Sequence, residues 1–493
     1  MDDPQAHLRR GFNWLGGAAV IVKIIDMATQ VAVLLFLGKR QIGIAALVLA
    51  ISTVVEAFDG MGAREALVQA RTVSRAQLDT LFWFITGAAL VTGLLVLLAA
   101  PWIGSVYGVA GMTVYFIAIA AKQPIVGASL IPLAMMSRDL QYERLAMVSV
   151  GATLGAALVR LGLAVAGAGV WALVLGFVAS GVFTLIGAQI ARPFRPRIRF
   201  RMGEIAPLVR FGTRAAAWNF LDQSFNNLHF LLVGWLYGPT ELALYRVAYT
   251  VAMEPALAVG TLINRTALPV FARASRHPAQ LVRSLQWSLH RLAVLVVPLV
   301  AASMLAAGPI TALIHDRHGH SYAAAAWPLV WLAAAALLRV TAQTIYPVVI
   351  GTGHPGVAAR LSAIMLFVLG SGLIAAAALV VPARTGLVVV AAVWVTVYPP
   401  LLFWESRYLR RHWHIGAGAL AQAFLAPSIG ALGLIVCAAA ADRVIGRGEP
   451  GLRLAVILIV AALTYAGLVA HARRRAIVEP IESPSQPTEP DAP

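Results

Sequence analysis

The sequence predicts an all-α polytopic membrane protein with about 14 transmembrane helices, arranged as two six-helix lobes followed by two C-terminal helices. Three observations predict this. Of 493 residues, 60% are apolar and only 12% are charged, with a mean hydropathy of +0.81, which leaves too little polar surface to clothe a water-soluble globule. Apolar stretches of about 20 residues, enough to cross hydrocarbon as a helix, recur along almost the whole chain. The first and seventh of these stretches share one polar design at an offset of two hundred residues, Asp26 falling over Asn226, Thr29 over His229 and Gly38 over Gly238.

Taken in order, the chain begins with a polar run to Arg10. The apolar run after it is too long and too interrupted for a cleaved signal peptide, so it is read as a retained helix. Spans fall at about residues 12–37, 42–62, 81–104, 109–133, 147–167 and 169–190. A second set follows at about 211–236, 241–264, 290–314, 322–345, 358–381 and 385–405, then 417–440 and 451–472. The domains are accordingly residues 1–200 and 201–410 for the two lobes, 411–475 for the additional helices, and 476–493 for a disordered cytoplasmic tail rich in Pro, Glu and Ser. The basic run from Arg192 to Arg210 is the natural linker between lobes, either a solvated loop or a site for acidic lipid or a partner. Arg64 to Asp79 and Arg265 to Ser288 occupy matching places and suit amphipathic helices on the inner surface.

Orientation follows from the loops. With the N-terminus inside, the inner segments hold Arg64, Arg71 and Arg75, Arg138 and Arg144, the linker arginines, Arg265 to Arg291, Arg407 to Arg411 and Arg473 to Arg475. The outer segments hold only Lys39, Arg40, Arg317, Arg384, Arg443, Arg447 and Arg453. This bias puts both termini in the cytoplasm. The formal net charge of +17 would suggest nucleic acid in a soluble chain; here it reports topology and contact with anionic lipid headgroups, and no nucleic-acid partner is expected. The lone Cys437 excludes a disulfide framework.

Ionisable groups inside spans are costly enough in lipid to count as functional candidates. The seventh span carries Asn219, Asp222, Asn226 and His229 at spacings that put them on one face. That face must look onto protein or a wet cavity. Lys23, Asp26 and Gln30 do the same on the first span. Lys23 and Asp26 form either a self-neutralising pair or an anion site whose charge Asp26 sets. Glu56 and Asp59 lie near an inner membrane interface. Lys122, Arg160 and Arg339 have no acidic residue within a helical turn, so each needs a carboxylate on a neighbouring helix or an anionic substrate. Arg246 is close enough to a span end to snorkel. Asp26, Asp222, His229 and Glu254 are candidates for ion coupling. His315, His318 and His320 cluster around Asp316 in an outer loop, where a solvated turn is the plainer reading than a metal site. There is no P-loop, nucleophile elbow or HExxH, so neither a cofactor nor an enzymatic activity is expected. Prolines at 124, 132, 255, 298, 328 and 347 kink or end spans, as bending bundles require.

The stretches GIAALVLAISTVVEAFDGMGAREALVQ, Gly43 to Gln69, and LYRVAYTVAMEPALAVGTLINRTALPVF, ending at Phe271, resemble the polysaccharide repeat-unit flippases. These are the Wzx-type branch of the multidrug/oligosaccharidyl-lipid/polysaccharide exporter superfamily, and the likeness runs over about twelve spans. The resemblance implies a V-shaped pair of lobes around a cationic cavity. It also implies passage of undecaprenyl-pyrophosphate-linked oligosaccharide across the bacterial cytoplasmic membrane by alternating access, with a polymerase or glycosyltransferases as partners. Many relatives carry an acidic residue where this chain has His229, so ion coupling does not carry over at that point. On this reading Lys23, Lys122, Arg160 and Arg339 bind the headgroup, and Gln30, Trp218, Asn219, Asn226 and Tyr249 bind the sugars. The alternatives are a cation-coupled multidrug exporter, disfavoured by the excess of buried cations, and a membrane polymerase or glycosyltransferase, disfavoured by short outer loops.

Overall fold

A helix turns into the next where glycine or a capping side chain frees the backbone, and among the described residues no sheet is built beyond one isolated bridge between His315 and Ser321. The computed structural model describes residues 4–57, 60, 62–70, 72–274, 278–351, 355–378, 383–413, 417–445 and 449–478. The helices of the first half are α1 (Pro4–Leu34), α2 (Lys39–Glu56), α3 (Ala63–Gln69), α4 (Arg75–Val106), α5 (Met112–Arg138), α6 (Tyr142–Val165) and α7 (Val170–Ala191). Those of the second are α8 (Met202–Ala274), α9 (Pro278–Leu305), α10 (Ala307–Leu313), α11 (Ala326–Gly351), α12 (Pro355–Ala378), α13 (Ala383–Trp413), α14 (Ala417–Ile445) and α15 (Pro450–Val478). Ser74 starts α4 with a capping box, its hydroxyl accepting from the Gln77 N–H at 3.2 Å while the Gln77 side chain accepts from the Ser74 N–H at 2.9 Å.

Among the described residues, eleven helices are long and apolar enough to cross a membrane. One of the eleven, Asn219–Asn264, holds both limbs of the bent helix α8. The 18-residue α2, which carries Lys39, Arg40 and Glu56, and the apolar stretch Ala363–Ala376 of α12 fall short of that measure. The seventh and eighth spans read from sequence are the two limbs of α8, two helices that meet at Gly238, whose φ of 81° suits glycine alone. Gly38, two hundred residues earlier, also lies between two helices, but as the N-cap of α2 with an extended backbone (φ −74°) that any residue adopts. The surface helix anticipated after the eighth span does not form separately, because α8 runs through to Ala274 and α9 starts at Pro278. Its counterpart survives only as the short α3. The span drawn at 290–314 stops at Leu305, where α10 takes over.

The linker is solvated along Arg195, Arg197, Arg199 and Arg201, as expected, yet it is also pinned at a few points. Phe194 is buried in an apolar cluster with Leu81, Phe82, Ile85 and Ile131. The Trp83 indole donates to the Arg197 carbonyl at 2.9 Å, and Asp79 accepts from the Arg197 N–H at 3.2 Å. An extended strand of backbone without a sheet partner needs such side chains to meet its polar groups.

Two groups of helices result. α1, α2 and α4–α7 pack among themselves, as do α8, α9 and α11–α13, and α14 and α15 lie against α9. α2 joins the groups: its buried Ile42, Ala45, Leu47 and Val48 share one core with Leu242, Ala243, Tyr245 and Ala248 of α8. Two glycines set how close the groups come. A Cβ on Gly43 would stand 1.7 Å from the Pro239 carbonyl oxygen, and one on Gly62, just past the other end of α2, 2.0 Å from that of Gly212. The interface is therefore closed at both ends of α2. At the Gly43 end Lys39 also donates to the Ser321 carbonyl at 2.8 Å.

Candidate functional site

Helix periodicity puts Lys23, Asp26 and Gln30 on one face of α1. Val20, Ile21, Ile24 and Val31 of the same helix are exposed, as lipid-facing side chains are, whereas the polar three are half-buried. The polar face meets α8. Lys23 donates to Glu254 Oε2 at 2.5 Å, so an ion pair ties the two groups together near the middle of the helices. Glu254 Oε1 receives Arg246 Nη2 at 3.4 Å. The Thr250 hydroxyl stands 3.3 Å from both Glu254 Oε1 and Gln30 Oε1. Beside this, Arg160 of α6 pairs with Asp26 at 3.7 Å, beyond hydrogen-bond reach. Arg160 lies hard against Gly176 of α7, where a Cβ would come within 2.9 Å of it. Asp26 is in electrostatic contact with Lys23 and Glu254, and Arg160 with Arg246. Three cations, Lys23, Arg160 and Arg246, thus share a site with two carboxylates, Asp26 and Glu254.

The structure decides between readings that the sequence left open. Lys23 and Asp26 do not neutralise each other; each has a partner on another helix. Arg246 does not snorkel outward, because Glu254 two turns along draws it in. Neither Arg160 nor Lys122 is without an acidic neighbour. Lys122, its side chain 4% exposed, pairs with Glu56 at 2.6 Å and sits 3.2 Å from the centre of the Phe177 ring. Glu56 therefore turns into the protein rather than to the interface, and Asp59 lies outside the described residues.

Arg339 is held within the second group, 2% exposed. It donates to the Tyr249 hydroxyl at 3.1 Å and to Asn226 Oδ1, and stacks over Phe225 and Trp394 at 5.4 and 5.2 Å. Asn226 in turn donates to Asp222 Oδ2 at 3.1 Å, so part of the polar seam of α8 is a real chain, Asp222 to Asn226 to Arg339. Among the described residues no carboxylate lies within ion-pair distance of Arg339. Asn219 is half-buried one turn before Asp222, and the Trp218 side chain lies outside the described ones. His229 departs from the seam: it is fully buried among Phe230, Tyr249, Trp394 and Tyr245 at ring distances of 4.0, 4.8, 5.1 and 5.6 Å, with neither nitrogen hydrogen-bonded. Enclosed by rings, it faces no wet cavity.

Arg246 and Thr250 were not among the residues singled out from sequence as binding the headgroup. The signal was present, since 246, 250 and 254 recur at intervals of four and so line one face. At the Gly43 end, Asp316, His318 and His320 bring their ligand atoms within 4.8 Å of one another. Asp316 Oδ1 already accepts the N–H groups of His318 and His320 at 2.9 and 2.8 Å, which marks it as the brace of a hairpin. Burial opposes ionisation of Asp316, yet those N–H groups hold its pKa below the usual carboxylate range.

The profile of the family described as "Polysaccharide biosynthesis protein" matches residues 35–322. The chain is similar to lipopolysaccharide biosynthesis protein WzxC of Escherichia coli (strain K12), 25% identical over 276 residues that make up 53% of this chain and 54% of WzxC. It thus spans about half the length of that relative. It is also similar to teichuronic acid biosynthesis protein TuaB of Bacillus subtilis (strain 168), 21% identical over 427 residues and 84% of each chain. Among solved structures, lipid II flippase MurJ in an inward closed conformation matches with a TM-score of 0.74, covering 93% of this chain and 98% of that one at 10% identity. An inward-facing multidrug resistance MATE family transporter of the MOP superfamily matches at 0.61, covering 79% and 95% at 13% identity. At such identities the solved structures establish the fold alone, that of a multi-pass helical membrane protein.

Proposed function

The chain belongs to the polysaccharide biosynthesis protein family, and on that premise we propose that it is a flippase for polyprenyl-pyrophosphate-linked oligosaccharide. It moves the repeat unit of a cell-surface polysaccharide from the inner to the outer leaflet of a bacterial cytoplasmic membrane, with both its own termini inside. The relatives named for lipopolysaccharide and teichuronic acid biosynthesis and the flippase fold support this reading. The single observation that carries it is the charged cluster between the two helix groups, where Lys23, Arg160 and Arg246 outnumber Asp26 and Glu254.

The physics suits such a cargo. A pyrophosphate ester bears roughly two to three negative charges near neutral pH and cannot enter hydrocarbon without replacing its water. Lys and forked Arg donors are the groups that replace it. Sugar hydroxyls need amide and hydroxyl partners, and Gln30 and Thr250 border the cluster while Asn219 stands on the preceding limb of α8. The polyprenyl chain stays in the bilayer, so only the polar head crosses between the groups. Movement proceeds by alternate opening at the two ends of α2, with no covalent bond made or broken, so the chain works as a transporter and not as an enzyme. A cationic drug would meet net repulsion at the same cluster.

The test is transport in vesicles. Purified protein in liposomes should carry a fluorescent oligosaccharide on polyprenyl pyrophosphate across the bilayer, and should leave the same sugar on a neutral polyprenyl ether in place. Equal movement of both, or of neither, refutes the proposal.

A further inference from the structure

Cations inside a membrane need an anion at every stage of a transport cycle, because stripping a buried cation of its partner costs several kcal/mol. A carrier of anionic headgroups must therefore keep Lys23, Arg160 and Arg246 neutralised after its cargo has left. In the structure Glu254 does most of this. Its two carboxylate oxygens take Lys23 on one side and Arg246 on the other, with the Thr250 hydroxyl beside them. Such a convergent set of charged and hydroxyl donors is what a phosphoryl group selects.

We propose that the Glu254 carboxylate is a built-in occupant of the phosphate seat, and that an arriving pyrophosphate displaces it, exchanging carboxylate for phosphate and releasing the tie between α1 and α8. The idea rests on the proposed function and deepens it by naming the seat, adding Arg246 to it, and giving cargo binding a means of parting the two helix groups. Three further observations support it. The Lys23–Glu254 pair joins residues 231 apart in sequence and spans the two groups, so its loss loosens the interface itself. Pro255 follows Glu254 directly and supplies no N–H to the Val251 carbonyl, so α8 lacks one backbone hydrogen bond beside the side chain that must move. Arg160 is only partly satisfied: its Nε is buried without an acceptor and its Nη1 stands 3.7 Å from Asp26. That leaves donors for the second phosphoryl group of a diphosphate. Glu254 is 13% exposed at its side chain, enough for a headgroup to reach it and too little for water to replace the lost partner.

Binding of farnesyl pyrophosphate to the full chain in detergent, with farnesol as the uncharged control, tests the exchange. Removing the competitor with Glu254→Gln should tighten farnesyl pyrophosphate about tenfold and leave farnesol unchanged. Lys23→Ala and Arg246→Ala should each weaken the pyrophosphate by about tenfold or more. Glu254→Asp, which keeps the charge but draws it back by one methylene, should fall between wild type and Gln, and it serves if the Gln variant does not fold. A distance between spin labels on α1 and α8 should lengthen on adding farnesyl pyrophosphate and not on adding farnesol. Binding that is unchanged or weaker in both Glu254 variants, or an unmoved distance, overturns the exchange. If the wild-type chain meanwhile transports lipid-linked oligosaccharide in vesicles, the proposed function stands without it; if the wild type neither transports nor binds the pyrophosphate, the function itself fails.

Discussion

Adding one methyl group at Gly43 tests how the closed interface is held. Replacing a helical glycine by alanine ordinarily stabilises a helix by roughly 0.5–1 kcal/mol. At Gly43 the new Cβ would lie 1.7 Å from the Pro239 carbonyl oxygen, whereas side-chain carbons are not found below 3.0 Å, so the backbones of α2 and α8 must separate by at least 1.3 Å (3.0 − 1.7). Overpacking of this kind costs on the order of 1–3 kcal/mol, which shifts a two-state equilibrium by roughly 5- to 150-fold. Because the clash is at one end of α2, the cost falls on the state closed at that end. Gly151 of α6 is the control, since nothing lies within 4 Å of a Cβ there. The assay is the distance between spin labels at the exposed positions Arg40→Cys and His315→Cys, after removal of the exposed native Cys437. Gly43→Ala should transfer population to a longer distance, and Gly151→Ala should not. An unchanged distribution in folded Gly43→Ala protein would refute the claim that this contact sets closure.

The buried pair Lys122–Glu56 should behave as structure: Lys122→Met alone destabilises by on the order of 2–4 kcal/mol, discounted because 22% of the Glu56 side chain is exposed. Adding Glu56→Gln should recover most of it in thermal unfolding. Arg339→Lys keeps the charge but loses the forked contacts to Asn226 and Tyr249, so folded yield should fall as it does for Arg339→Ala, with a cost of about 1–3 kcal/mol; full yield with normal melting contradicts this. In the hairpin, the depressed Asp316 pKa means that its stabilisation is present above the unfolded value of about 3.9 and is lost as pH falls through the lower folded value. Amide protection factors at His318 and His320, which correct for the base-catalysed rise of exchange with pH, should stay constant from pH 5 to 8 in the wild type and fall at all these values in Asp316→Asn; a protection factor that changes in this range in the wild type would contradict the assignment.

Helix faces were legible in the sequence, and partners were not. Spacing alone groups Lys23 with Asp26 and Gln30, and Asp222 with Asn226, and the structure keeps both groupings. The two-hundred-residue offset places a helix break at both Gly38 and Gly238, although only Gly238 uses a positive φ. Spacing cannot say which helix a face will meet, so the match of Lys23 with Glu254, or of Lys122 with Glu56, emerges only from packing. His229 shows the converse. Its register belongs to the polar seam, but the rings that enclose it come from Tyr245, Tyr249 and Trp394, well removed along the chain. Phe194 likewise lies in a basic run that reads as solvated, and one buried ring is enough to fasten that run to α4.

Initial rates of oligosaccharide-pyrophosphoryl-polyprenol translocation in liposomes, compared between wild type and Arg160→Ala at matched folded protein, bear most directly on whether the interface cations conduct the headgroup. Among the described residues Asp26 is the one acidic group paired with Arg160, at 3.7 Å, so removal of Arg160 should leave the fold intact. Translocation at least about tenfold slower, with unaltered melting, is the expected result. A variant that carries the cargo at the wild-type rate would mean that the headgroup crosses by another path.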